Sequence, residues 1–136
     1  MKPLGRHLIA ELYGCRADRL DDLDTLRRAL YDAADAIGAT CLGDRFHRFT
    51  PQGVSGTVLI AESHLGIHTW PEHGYAAFDV FTCGDLDPAP AAALIAARLD
   101  AAEVRQQTIE RGLIGDALRG PDDVALRTHT WTRTRP

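Results

Sequence analysis

Between residues 55 and 83 the chain crowds reactive side chains into segments that otherwise pattern as buried strand: Ser55, Glu62, Ser63, His64, His68, Glu72, Asp79 and Cys83. A strand that only built a core would not carry so many polar groups. Three kinds of chemistry could use them. His64, His68 and His73 could ligate a metal, Ser63 could pair with a histidine as a hydrolase, or Ser63 could turn on its own backbone.

The metal reading fails on geometry. His64 and His68 would sit side by side on a helix, but their flanks alternate like a strand, which sets them about 13 Å apart. No second group of cysteines or carboxylates stands at ligand spacing, so no metal is expected. The hydrolase reading lacks the GxSxG elbow, and the turn before Ser63 has no glycine to sharpen it. A Ser/His pair stays open on these grounds, as does self-processing.

The elements that must position these residues are legible in outline. Residues 6–12 read as a first strand ending at Tyr13-Gly14. Asp21 or Asp22 can cap a helix whose Leu23, Leu26, Leu30, Ala33, Ala34 and Ile37 share one face, with Gly38 as its stop. Extended segments follow at 40–49 and 57–61, the first weakened by Gly43 and Asp44, with a turn at Pro51-Gln52-Gly53 between them. In 65–70, Leu65, Ile67 and Thr69 point one way and His64, Gly66, His68 and Trp70 the other. Pro71 ends that strand, and Glu72-His73-Gly74 turns into another, 75–83, where Ala77, Asp79, Phe81 and Cys83 share a face. A second helix is expected from Pro88 or Pro90 to Leu99, with Asp87 as cap, and a last strand at 103–110. The order predicts an α+β fold, a two-layer sandwich in which two helices cover one face of a mostly antiparallel sheet. Residues 1–112 form the expected single domain, and 113–136 read as a loosely held C-terminal tail.

Bulk properties narrow the function. The 136 residues suffice for one core. A formal charge of -4 argues against nucleic acid as partner. No apolar run is long enough to cross a bilayer, and Arg6, His7 and Glu11 break any signal-peptide pattern, so the cytoplasm is the expected compartment. The three cysteines form neither a disulfide framework nor a zinc knuckle, and Cys15 and Cys41 read as small buried hydrophobes.

The segment AESHLGIHTWPE, preceded by PQGVSG and followed by YAAFDVFTCG, resembles the short prokaryotic S-adenosylmethionine decarboxylases, and the likeness runs from GRHLIAELYGC to about Arg111-Gly112. The resemblance implies a proenzyme that cuts itself between Glu62 and Ser63 and converts Ser63 into a covalently bound pyruvoyl group. Such a reaction suits these neighbours. A hydroxyl held against the preceding carbonyl can shift the acyl group from nitrogen to oxygen, and a nearby hydroxyl can stabilise the oxyanion. A histidine can remove the α-proton that triggers elimination. By resemblance the stabilising hydroxyl is Ser55 and the base His68.

The pyruvoyl carbonyl would form a Schiff base with the substrate amine and accept electrons as carbon dioxide leaves. Cys83 corresponds to the family's proton donor, Glu72 to a carboxylate on the ribose, and Phe49 to an aromatic on adenine, with Trp70 a further substrate contact. Phe49 and Trp70 fit equally as core aromatics, and Glu72 as an ordinary turn carboxylate. Asp79 and His64 receive no role. Gly66 departs from the serine or threonine usual there. The implied reaction is decarboxylation of S-adenosylmethionine for spermidine biosynthesis, by a homodimer with active sites at or near the subunit interface. Two alternatives are the same chemistry on ornithine or arginine, and a non-enzymatic homologue serving as a partner subunit.

Overall fold

The computed structural model describes residues 2–114 and 127–134. Within these residues seven strands form one sheet: β1 (Gly5–Tyr13), β2 (Cys41–Arg48), β3 (Val54–Ile60), β4 (Ser63–Trp70), β5 (Tyr75–Cys83), β6 (Glu103–Arg111) and β7 (Arg127–Thr134). Their order across the sheet is β2-β3-β4-β5-β1-β6-β7, and every pairing is antiparallel. The helices are α1 (Ala17–Leu20), α2 (Leu23–Ala36) and α3 (Ala89–Arg98). This is the expected α+β arrangement, with α2 and α3 as its main helices.

Strand alternation divides the sheet into two unlike faces. Leu8, Ala10, Leu12, Val58, Ile60, Leu65, Ile67, Phe78 and Val80 are fully or almost fully buried on the helix side. They meet Leu26, Ala29, Leu30 and Ala33 of α2 and Ala91, Ala92 and Ile95 of α3, all equally buried. Each large aliphatic side chain so buried contributes on the order of 1.5–3 kcal/mol over exposure. The opposite face carries the other parity: His7, Ile9 and Glu11 on β1, His64, Gly66 and His68 on β4, Ala77, Asp79, Phe81 and Cys83 on β5. Among the described residues no helix covers it, and its polar groups reach one another.

Local signals set the helix ends. Asp22 is the cap of α2, its carboxylate accepting from the Asp24 amide at 3.2 Å and from the Thr25 hydroxyl at 2.8 Å. Asp21, the other candidate, instead binds Arg48 at 2.7 Å and the Gly53 amide at 2.9 Å, tying α1 to the loop after β2. Asp87 accepts from the Ala89 amide at 3.0 Å where α3 begins. The register shift beside Gly43 accounts for the weak pattern there.

Three expectations need correction. The turn at 51–53 leads straight into β3, which begins at Val54 rather than Thr57. The four residues of α1 are too few to show helical periodicity, and the sequence reading has no element there. Residues 127–134, read as loose tail, pair with β6 from Glu110↔Arg127 to Glu103↔Thr134. The alternating threonines of RTHTWTRT have the β-branched character of a strand. Among the described residues no helix is long and apolar enough to cross a membrane.

Candidate active site

β3 and β4 form a hairpin closed by only Ala61 and Glu62, with Ile60 paired to Ser63. So short a connection needs a left-handed residue, and no glycine is available. Glu62 takes the conformation itself, at φ +74°. For a non-glycine residue this costs on the order of 1–3 kcal/mol, held in place by the paired strands. The Ser63 side chain is buried, 7% exposed, and its hydroxyl donates to the Glu62 carbonyl oxygen at 2.7 Å. Strain and hydroxyl therefore meet at one peptide bond.

Cys83 ends β5 beside this turn, its Sγ 3.9 Å from the Ala61 carbonyl oxygen. A hydrogen bond to the Glu62 carboxylate, then partial burial and that carboxylate's charge, push the thiol above its ordinary value. Its proton is therefore held at neutral pH. Glu62, Ser63 and Cys83 line an open hollow of about 610 Å³, which Phe81 and Arg111 also border.

His68 lies elsewhere. Register pairs it with Ser55, whose Oγ is 2.7 Å from His68 Nδ1. His68 lies five positions after Ser63 on β4, about 17 Å at the usual rise. Trp70 ends the same strand, its ring 5.2 Å from that of Tyr75. Phe49 lies against His47 at 4.7 Å, and Glu72 is exposed in the single 3-10 turn at Pro71–His73. Phe49 and Trp70 are 46% and 40% exposed, which corrects their reading as core aromatics. One chain thus carries two groups: Glu62, Ser63 and Cys83 at the start of β4, and Ser55, His68 and Trp70 at its end, where the 3-10 turn bearing Glu72 follows.

The three histidines weighed as metal ligands are also dispersed. His68 binds Ser55, His73 sits in the 3-10 turn, and His64 joins a cluster the sequence reading missed. His64 Nε2 and His7 Nε2 lie 2.8 and 2.7 Å from the same oxygen, Asp79 Oδ2. Among the described residues these three are the group whose ligand atoms converge closely enough for a metal, all within 4.8 Å. Arg111, however, approaches His7 Nδ1 at 3.4 Å. A guanidinium can only donate, so His7 Nδ1 accepts and its proton sits on Nε2, pointing at Asp79. That tautomer makes a hydrogen-bonded cluster and leaves His7 Nε2 no lone pair for a metal.

Burial alone would raise the Asp79 pKa, but the hydrogen bonds and charges of the two histidines outweigh it and hold the carboxyl below its ordinary value. Gly66 makes room for this: a Cβ there would come within 2.7 Å of Asp79 Oδ1. The departure at Gly66 is thus filled by a neighbouring carboxylate. The parity of His64 and Asp79 was readable from alternation, whereas the pairing of β1 with β5, which brings in His7, was not.

Cys15 is buried, which pushes its thiol up to about 11, and Cys41 is only half-buried. Neither reaches the hollow.

The model of the family described as S-adenosylmethionine decarboxylase matches residues 6–112. A relative named S-adenosylmethionine decarboxylase proenzyme from Geobacillus kaustophilus (strain HTA426) is 51% identical over 113 residues, covering 83% of this chain and 91% of that one. Another of the same name from Thermosipho melanesiensis (strain DSM 12029 / CIP 104789 / BI429) is 57% identical over 89 residues, covering 65% and 68%. The crystal structure of the adenosylmethionine decarboxylase of Aquifex aeolicus superposes with a TM-score of 0.80 at 38% identity, covering 88% of this chain and all of the other. The Trypanosoma brucei AdoMetDC-delta26 monomer shares the fold alone, at TM-score 0.58 and 14% identity over 88% of this chain and 55% of that one. By sequence match and fold together, the chain belongs to the S-adenosylmethionine decarboxylase family.

Proposed function

We propose that this chain is a proenzyme that cleaves itself before Ser63 and then, through the pyruvoyl group so formed, decarboxylates S-adenosylmethionine. The observation that carries the reading is the Ser63 hydroxyl, 2.7 Å from the carbonyl oxygen of a residue held at φ +74°. Attack of Oγ on the Glu62 carbonyl carbon would break the amide, form an ester and relieve the left-handed turn. Removal of the Ser63 α-proton then expels the Glu62 carboxylate. Hydrolysis of the remaining enamine releases ammonia and leaves the carbonyl.

That carbonyl supplies an electron sink for the substrate's amine-bearing carbon as carbon dioxide departs. The chain's own residues do the rest. Cys83, protonated at the rim of the hollow, would return a proton to that carbon. The Ser55–His68 pair suits the stabilising and proton-abstracting steps of cleavage. About 17 Å along one strand is too far for it to serve its own Ser63. The pair therefore acts on a second copy, which makes the functional unit a homodimer with composite sites. The face that none of the described helices covers supports this: it leaves Ile9 and Leu59 exposed, 39% and 53% respectively. In such a dimer Phe49, Trp70 and Glu72 would reach the nucleoside from the copy that supplies His68.

The test is a denaturing gel beside an assay for carbon dioxide from carboxyl-labelled S-adenosylmethionine. Wild type should give two chains, of 62 and 136 - 62 = 74 residues, and release label. Ser63→Ala should give one chain and no label. A wild type that stays whole, or a Ser63→Ala protein that still decarboxylates, contradicts the reading.

A further inference from the structure

We infer that Arg111 is the residue that recognises the substrate's carboxylate, an assignment that rests on the pyruvoyl reading of Ser63. Gly5 of β1 pairs with Cys83 on one side and Arg111 on the other, so these two side chains flank a position that has none. The ring of Phe81 occupies the space: a Cβ on Gly5 would meet it at 2.6 Å. The Arg111 guanidinium lies over that ring, 4.8 Å from its centre, and donates to His7 Nδ1 at 3.4 Å. His7 is fixed in turn by Asp79, and its ring packs on Phe81 at 5.1 Å. A long, flexible side chain is thus steered to one wall of the hollow that holds Ser63.

The Arg111 charge meets a ring and an imidazole but forms no ion pair with a carboxylate among the described residues. Among those residues it is the one cation lining the hollow. The hollow's own carboxylate, Glu62, faces the Cys83 thiol instead. An amino acid whose amine reaches the group at position 63 carries its carboxylate on the same carbon, so that anion must enter this hollow. Arg111 matches it in charge and in its planar fork of donors. The cluster of His7, His64 and Asp79 then acts as the positioning device that holds the guanidinium.

The experiment compares ligands with and without the carboxylate on processed enzyme: S-adenosylmethionine, its methyl ester, and the decarboxylated product. For Arg111→Met, KM for the substrate should rise about 10- to 100-fold, the usual effect of losing a charge-assisted hydrogen bond. The dissociation constants of ester and product, measured by calorimetry, should change less than about twofold, since neither presents an anion to lose. Arg111→Lys, which keeps the charge, should fall between and serves if the methionine variant does not fold. Equal weakening of all three ligands would make Arg111 a packing residue and overturn the assignment. Slower cleavage with unchanged discrimination would assign it to the new Glu62 chain end, also overturning it. Failure of the underlying reading is separately visible as uncleaved wild-type chain.

Discussion

The two ends of β4 are built on opposite plans. At Ser63 the backbone is strained, the hydroxyl is buried, and its partner is the neighbouring carbonyl. At His68 and Trp70 the backbone is regular and both side chains are exposed. The first end suits a reaction between atoms already joined by covalent bonds, for which burial and strain are assets. The second presents groups whose target must be brought to them. One strand can hold both because alternation and length, rather than contact, relate its ends.

The sharpest way to break this comparison is to separate the ends genetically. Ser63→Ala and His68→Ala should each abolish decarboxylation when expressed alone. Co-expressed, they should recover about a quarter of wild-type sites if copies pair at random in a two-fold dimer. Recovery of nothing would mean that His68 serves its own chain. Next in size, Cys83→Ala should leave cleavage complete on a gel while lowering kcat by about 10²-fold or more, as loss of a proton donor does.

Two smaller effects sharpen the electrostatics at each site. Glu62→Gln in uncleaved Ser63→Ala protein removes the first cause of the raised Cys83 pKa. The pH profile of Cys83 alkylation should therefore shift to lower pH. A profile that stays put would detach the thiol from Glu62. Asp79→Ala should destabilise the fold by about 1–3 kcal/mol at neutral pH, because two imidazole donors lose their acceptor. The sign in pH follows from the lowered Asp79 pKa. Its stabilisation is fully present above the ordinary carboxyl value and disappears as pH falls through the folded one. The gap between wild type and variant in urea unfolding should close below about pH 4.

Much of this was legible in the chain, and the physics says which part. Alternation through Leu65, Ile67 and Thr69 fixes which side of β4 is core, and helical spacing from Leu26 to Ala34 fixes the face of α2. Both are local periodicities. The motif around Ser63 pointed to the Glu62-Ser63 bond as the one proposed to break, and the two-residue hairpin at Ala61-Glu62 supplies the strain that the missing glycine had obscured. Register between distant strands has no local signature, so the meeting of His7 with Asp79, and of Arg111 with the Ser63 hollow, stayed hidden. Spacing did contain one further fact, that residues 63 and 68 lie far apart on an extended chain. The same arithmetic that dismissed a metal at His64 and His68 separates Ser63 from the base proposed for it.

The most direct test of the whole account is the intact mass of the chain beginning at residue 63, with and without borohydride. A ketone-terminated fragment that gains two hydrogens on reduction is the predicted result. An N-terminal serine with a free amine, or a 136-residue chain of unaltered mass, would contradict it.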